Sequence, residues 1–286
     1  MKYIVPAAVF VLMVSVGMSL RPKQVIAQLR RMEWRHWAGL VLATFLVPAA
    51  LGLALGRILP LNRAEMAGLF FVGAAPGAPL MTRNIAKRGF DIHLAAGYQV
   101  WGGLLTPIIL PLVVLVAGLL HGLTIWIPPR VVLLQIAENQ FVPLLLGLAL
   151  ARFLPAFSTK AVVWLNRVGN IVLTVGVIAL LWFMREALKG LLTWWLPLGA
   201  ILLALGSVLA ISLLVRSDDP LVKHTLAICN ANRHVGLAIL LSGQYLRAKG
   251  ALPAIAAYAV IAPFVLGGLS WWFRREETNN PAATLG

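Results

Sequence analysis

Four polar residues, Asn230, Asn232, Arg233 and His234, stand together in "CNANRHVGLAILLSG" (229–243), inside a stretch otherwise apolar enough to be a membrane-spanning helix. A charge at the centre of a bilayer costs roughly 2.5–3.5 kcal/mol on insertion scales, so each such group needs a partner or a task. The guanidinium of Arg233 suits two tasks. Its planar set of donors matches a carboxylate, phosphate or sulfonate, and it can equally hold helices together through carbonyls and the amides of Asn230 and Asn232. His234 titrates near neutral pH when unperturbed, which allows proton coupling, or it serves as a neutral hydrogen-bonded histidine of the bundle. Glu138, in "AENQFVPLLLG", is the acidic residue placed well inside a span; it either pairs with Arg233 or Arg167 or carries a proton. Asn139 and Gln140 beside it add polar capacity, and Tyr98, Gln99 and Trp101 are candidates to line a cavity.

These residues need elements that hold them in lipid. Of the 286 residues, 60% are hydrophobic and 12% charged, with mean hydropathy +0.89. Soluble domains carry about 25% charge, so the composition specifies a polytopic membrane protein. The formal charge of +15 does not point to nucleic acid, because the basic residues lie singly or in pairs between apolar runs and read as topology determinants. The one cysteine, Cys229, falls inside a span, so no intramolecular disulfide forms.

Dividing the chain at charged and Pro/Gly-rich punctuation predicts nine helical spans near 3–20, 37–58, 64–86, 92–120, 130–152, 161–184, 190–215, 221–246 and 251–273, each about long enough for a 30 Å hydrocarbon core. The first run lacks a small-residue cleavage site at its end and reads as an anchoring helix. An odd number of spans puts the termini on opposite faces. The basic cluster Arg21, Lys23, Arg30, Arg31 and Arg35 after the first span favours an outer N-terminus and a cytoplasmic C-terminus, in a plasma (inner) membrane. Residues 1–275 form one transmembrane unit, and the polar tail 276–286 reads as disordered.

Two spans should break. Pro76-Gly77-Ala78-Pro79 interrupts "EMAGLFFVGAAPGAPLMTRNIAKRGF", since each proline lacks an amide donor and clashes with the preceding turn. The polar cluster at 230–234, ending at Gly236, marks a second break. Interrupted helices in two halves of a chain point to the binding site of an inverted-repeat transporter. A separate likeness, "VPAALGLALGRILP" (47–60) to "VPLLLGLALARFLP" (142–155), pairs different spans and does not define the same repeat; leucine- and glycine-rich helices resemble each other cheaply.

The chain resembles the bile acid:sodium symporter (BASS) family of secondary transporters. The likeness rests on "VLMVSVGMSLRPKQV", "FLVPAALGLALG", "FFVGAAPGAPLMTRNIAKRGFD", "FVPLLLGLAL" and "NRHVGLAILLS", in that order. The resemblance implies an all-α fold of two inverted repeats (about 1–125 and 126–275), with two crossing discontinuous helices in a core domain that moves against a panel domain, here in a nine-helix form. Sodium-coupled members carry a glutamate and, four residues later, a glutamine at the second crossover; Cys229 and Arg233 stand there. Around the first crossover the hydroxyl and amide residues reduce to Thr82 and Asn84. A hard cation prefers oxygen ligands, so the usual sodium sites are not expected to operate.

The expected function is secondary active transport of a small organic anion by alternating access, as uniport or with protons. A sodium-coupled, bile-acid-like symporter is the alternative, followed by a channel or receptor. The substrate-binding candidates are Arg233, His234, Asn230, Asn232, Thr82 and Asn84; Pro76, Gly77, Pro79 and Gly236 supply crossover backbone, and Glu138 and His234 are the ion-coupling candidates. No cofactor or metal is expected. An enzyme is disfavoured, because diphosphate chemistry needs clustered aspartates and the chain offers only Asp218-Asp219, with no HExxH or GxSxG motif.

Overall fold

A computed structural model describes residues 4–30, 34–121, 123–183, 185, 193–217, 219–245 and 249–279. Among these the regular structure is helical: α1 (Ile4–Ser19), α2 (Pro22–Arg30), α3 (Trp34–Val41), α4 (Val47–Ile58), α5 (Arg63–Ala74), α6 (Met81–Lys87), α7 (Ile92–Leu119), α8 (Pro129–Ile136), α9 (Val142–Phe153), α10 (Pro155–Phe183), α11 (Trp195–Leu214), α12 (Pro220–Ala231), α13 (Val235–Tyr245) and α14 (Leu252–Asn279). Among the described residues, five continuous stretches are long and apolar enough to cross a membrane: Trp37–Ile58, Ile92–Leu119, Pro129–Phe153, Trp195–Leu214 and Leu252–Glu276. Only helices satisfy their own backbone in lipid without closing into a barrel, which is why so apolar a chain takes this form. α14 continues into the expected tail as far as Asn279, and 280–286 lie outside the described residues.

Local signals fix the helix starts. Asn62 and Glu65 form a reciprocal capping box at α5. Asp91 accepts from the amides of His93 and Leu94 at α7, and Asp219 from Leu221 and Val222 at α12, where Pro220 fills the first turn.

The two Val-Pro motifs share one local distortion. Before each, the helix widens into a π turn, Leu42–Leu46 before Val47-Pro48 and Ala137–Phe141 before Val142-Pro143. Val47 N–H bonds back to Leu42 O, and Val142 N–H to Ala137 O. The proline that follows has no N–H to continue the ladder. Each turn therefore strands two carbonyls, those of Ala43 and Thr44 in the first and of Glu138 and Asn139 in the second. The shared sequence thus carries a shared conformation.

Packing sorts the helices. α1, α9 and α10 pack on one another; α4 packs on α5, α11 on α4, α12 and α14, and α5 on α13 and α14, while α6 lies on α7 and α12. Glycine allows the closest approaches. A Cβ at Gly147 would stand 2.1 Å from Val14 O, and one at Gly52, the matching position of the other Val-Pro motif, 2.7 Å from Leu69 O.

Candidate functional site at the paired helix breaks

Helix α5 ends at Ala74 and α6 begins at Met81; α12 ends at Ala231 and α13 begins at Val235. Both expected interruptions are thus present. Gly77 sits at φ +72°, a left-handed conformation cheap only for glycine, between Pro76 and Pro79. The second break is shorter, Asn232 to His234, and Gly236 lies inside the first turn of α13 rather than in the break. No proline forces this second interruption. Arg233 finds its partners on other helices, while Asn232 and His234 bond to the helix ends on either side of the break.

The two breaks are bonded to each other. Ala78 N–H donates to Asn232 O at 3.1 Å and His234 N–H to Ala75 O at 2.9 Å, so the two segments run antiparallel. Side chains take further carbonyls. Gln140 Nε2 donates to Gly77 O (3.0 Å), Gln99 Nε2 to Pro79 O (2.9 Å) and the Tyr258 hydroxyl to Ala231 O (2.7 Å). These backbone groups freed by the breaks are therefore satisfied within the protein, as burial in a bilayer requires.

Arg233 points into the packed bundle and is 2% exposed. Its Nη1 donates to Thr44 O at 2.7 Å, and its Nη2 to Asn230 Oδ1 at 3.1 Å and Ser207 Oγ at 3.4 Å. Asn230 is saturated: Nδ2 donates to Ala43 O (2.9 Å) and Ser207 O (2.7 Å), while Oδ1 accepts from Tyr98 as well as Arg233. The two carbonyls stranded by the first π turn, Ala43 and Thr44, are the ones that Asn230 and Arg233 occupy. Sequence reading placed the arginine and asparagine, but Thr44, Ser207 and Tyr258 went unmarked, because their partners lie far away along the chain. The Val-Pro dipeptide was the available signal, since a proline in a buried helix always leaves a carbonyl in need of a donor.

His234 caps α13. Its Nδ1 accepts from Leu237 N–H at 3.1 Å, which puts the ring proton on Nε2, and that buried N–H has no partner among the described residues; neither has Arg233 Nε. Asn232 turns back to its own helix, Nδ2 donating to Ile228 O. Thr82 is buried, its hydroxyl donating to Gln99 Oε1 at 2.6 Å, and Asn84 is half-buried on α6. Tyr98 and Gln99 both belong to this network. Glu138 faces outward and forms no ion pair with Arg233 or Arg167 among the described residues, because the π turn aims Gln140 at the break and Glu138 away from it.

The family model of the sodium bile acid symporter family matches residues 6–191, more than half of the chain and including the first break. The chain belongs to the sodium bile acid symporter family. No curated protein matches it. Membership makes it an integral, multi-pass membrane protein of a transporter family rather than an enzyme family. Beyond the matched residues, Arg233 stands in the second break and Cys229 in the last turn of α12; the thiol is buried and offers no oxygen to a cation.

Proposed function

We propose that this chain is a secondary active transporter of a small organic anion, working by alternating access without sodium coupling. The carrying observation is the Arg233 guanidinium, a permanent cation held by a carbonyl, an amide and a hydroxyl oxygen where the two breaks meet. A sodium ion would compete for the same oxygens and be repelled by the fixed charge. In this reading Arg233 replaces the coupling ion structurally. The crossing serves as the centre of a substrate site, His234 Nε2 and Arg233 Nε being its buried donors still without acceptors.

Nine crossings in two inverted repeats (about 1–125 and 126–275) fit the positions of the breaks, with α5–α6 and α12–α13 as the discontinuous helices. α1, α8–α9 and α10 form the panel, against which the remaining helices move as the core, and the N-terminus lies outside an inner membrane. Thr82, Asn84 and Asn232 flank the path. Proton coupling through His234 has a structural cost, since protonating Nδ1 removes the acceptor that caps α13; Glu138, exposed on its span, is the simpler proton carrier.

The test is uptake of labelled organic anions by the purified chain in liposomes, under an imposed sodium gradient, a proton gradient or none. Saturable uptake indifferent to sodium is the expected outcome. Accumulation that requires sodium would establish the sodium symporter instead, and currents at channel-like rates would end the transporter reading.

A further inference from the structure

A second buried arginine lies off the crossing. Arg83, on α6, is 7% exposed. Its Nε donates to Asn166 Oδ1 at 3.2 Å and its Nη2 to Asn170 Oδ1, and Lys87 Nζ reaches the same Asn170 oxygen at 3.4 Å. Asn166 and Asn170 are one turn apart on one face of α10, in the middle of a helix of 29 residues. α10 packs on α1 and α9 whereas α6 packs on α7 and α12, so these contacts span the two groups of helices.

The electrostatics are unbalanced. Two cations converge on one neutral oxygen, and neither Arg83 nor Lys87 has a carboxylate partner among the described residues, where the ion pair present is His93 with Asp91. Amide oxygens satisfy donors without cancelling charge, so both cations retain their attraction for an anion, strengthened at buried Arg83 by the low dielectric around it, while Lys87 is exposed. Arg233, likewise held by neutral oxygens, is instead enclosed inside one packed group of helices.

We infer that Arg83 and Lys87 hold the carboxylate of the transported anion between α6 and α10, displacing the side-chain oxygens of Asn166 and Asn170. The inference rests on the organic-anion reading and adds which residues take the charged end. The guanidinium receives the carboxylate through two parallel N–H bonds and Lys87 adds a point charge, a division of labour suited to the two side chains. In the free protein the asparagines keep the donors satisfied and tie α6 to α10. Binding then exchanges a contact between the helix groups for a contact to the substrate, which couples occupancy to their relative movement.

The experiment measures melting temperature of the purified full chain in detergent against a panel of aliphatic, aromatic and steroidal carboxylates, each beside its uncharged methyl ester. At least one carboxylate stabilises the native chain and its ester does not. Arg83→Gln, which can still bond to the asparagines, keeps its fold and weakens that carboxylate at least about tenfold, one hydrogen-bonded ion contact's worth; Arg83→Lys falls between. Asn170→Asp plants a carboxylate between Arg83 and Lys87, and it raises the melting temperature while abolishing the carboxylate's effect. Undiminished binding in both Arg83→Gln and Asn170→Asp would overturn the inference while leaving the anion reading intact, with the charged end then at the crossing. Stabilisation by the ester equal to that by the acid, or by no member of the panel, would overturn the anion reading and this inference with it.

Discussion

The π turns before Pro48 and Pro143 have the same local sequence and the same hydrogen-bond defect, yet opposite fates. In the first, the stranded carbonyls of Ala43 and Thr44 are taken by Asn230 and Arg233, from a segment almost two hundred residues away. In the second, no side-chain donor among the described residues reaches the carbonyls of Glu138 and Asn139, and Glu138 is exposed. A local motif thus creates an acceptor pair, and tertiary context decides whether it anchors a buried cation or stays open. The glycine that follows each proline by four positions behaves alike in both: Gly52 admits Leu69 O and Gly147 admits Val14 O. What the two motifs share is shape; what separates them is the partner.

That contrast can be broken most directly at Arg233. Arg233→Met leaves Thr44 O and Ser207 Oγ without their donor and Asn230 Oδ1 with that of Tyr98 alone, and thermal or denaturant unfolding in detergent should register a loss of about 2 to 3 kcal/mol. Adding Pro48→Ala restores an N–H for Thr44 O, so the double variant should recover about 1 kcal/mol of it. If Pro48→Ala changes the Arg233→Met background no more than it changes the native chain, the carbonyl is not what the arginine serves.

Next comes close packing. Gly147→Ala puts a methyl group 2.1 Å from Val14 O, against 2.7 Å from Leu69 O for Gly52→Ala. Overpacking of this kind costs about 1–3 kcal/mol, and the Gly147 variant should show the larger drop in melting temperature; the reverse order would mean that the α1–α9 contact yields more readily than its spacing indicates.

Pro143→Ala provides the control for the open turn. It supplies an N–H to a carbonyl that no side chain has claimed, so its effect should stay below about 1 kcal/mol and be additive with Arg233→Met, as for independent sites. Measurable coupling between those two would show that the second turn communicates with the crossing. The smallest change is expected from Glu138→Gln, within about 0.5 kcal/mol in stability because the carboxylate is exposed and has no ion-pair partner among the described residues. The same variant tests proton carriage: loss of proton-driven uptake with intact exchange would assign Glu138 to coupling, and unchanged uptake would remove it from consideration.

Much of the frame was legible in the residues. Hydrophobic runs announced the helices because lipid leaves the backbone no alternative, and Pro76-Gly77-Ala78-Pro79 announced the first break because proline and glycine act locally. The second break was signalled by polar residues alone, and its boundary came out two residues early of Gly236, since no backbone restriction marks it. Arg83, like the other basic residues, was read as a topology determinant; its burial against α10 could not be seen, because Asn166 and Asn170 are ordinary polar residues in an apolar helix until a neighbour is placed beside them. Glu138 looked like the natural counter-charge for Arg233, and the π turn rotated it away.

By itself, then, the sequence determined everything that follows from covalent and near-neighbour constraints: a helical membrane protein, a proline-broken span, prolines in two further helices that leave carbonyls without an N–H, and an arginine that had to find acceptors. Only the tertiary structure decided which acceptors those were and which arginine faces a boundary between packed groups of helices. The reason is physical. A missing N–H is a property of one residue, whereas the partner of a buried charge is set by the packing of helices distant in the chain, and many arrangements would satisfy the same local need.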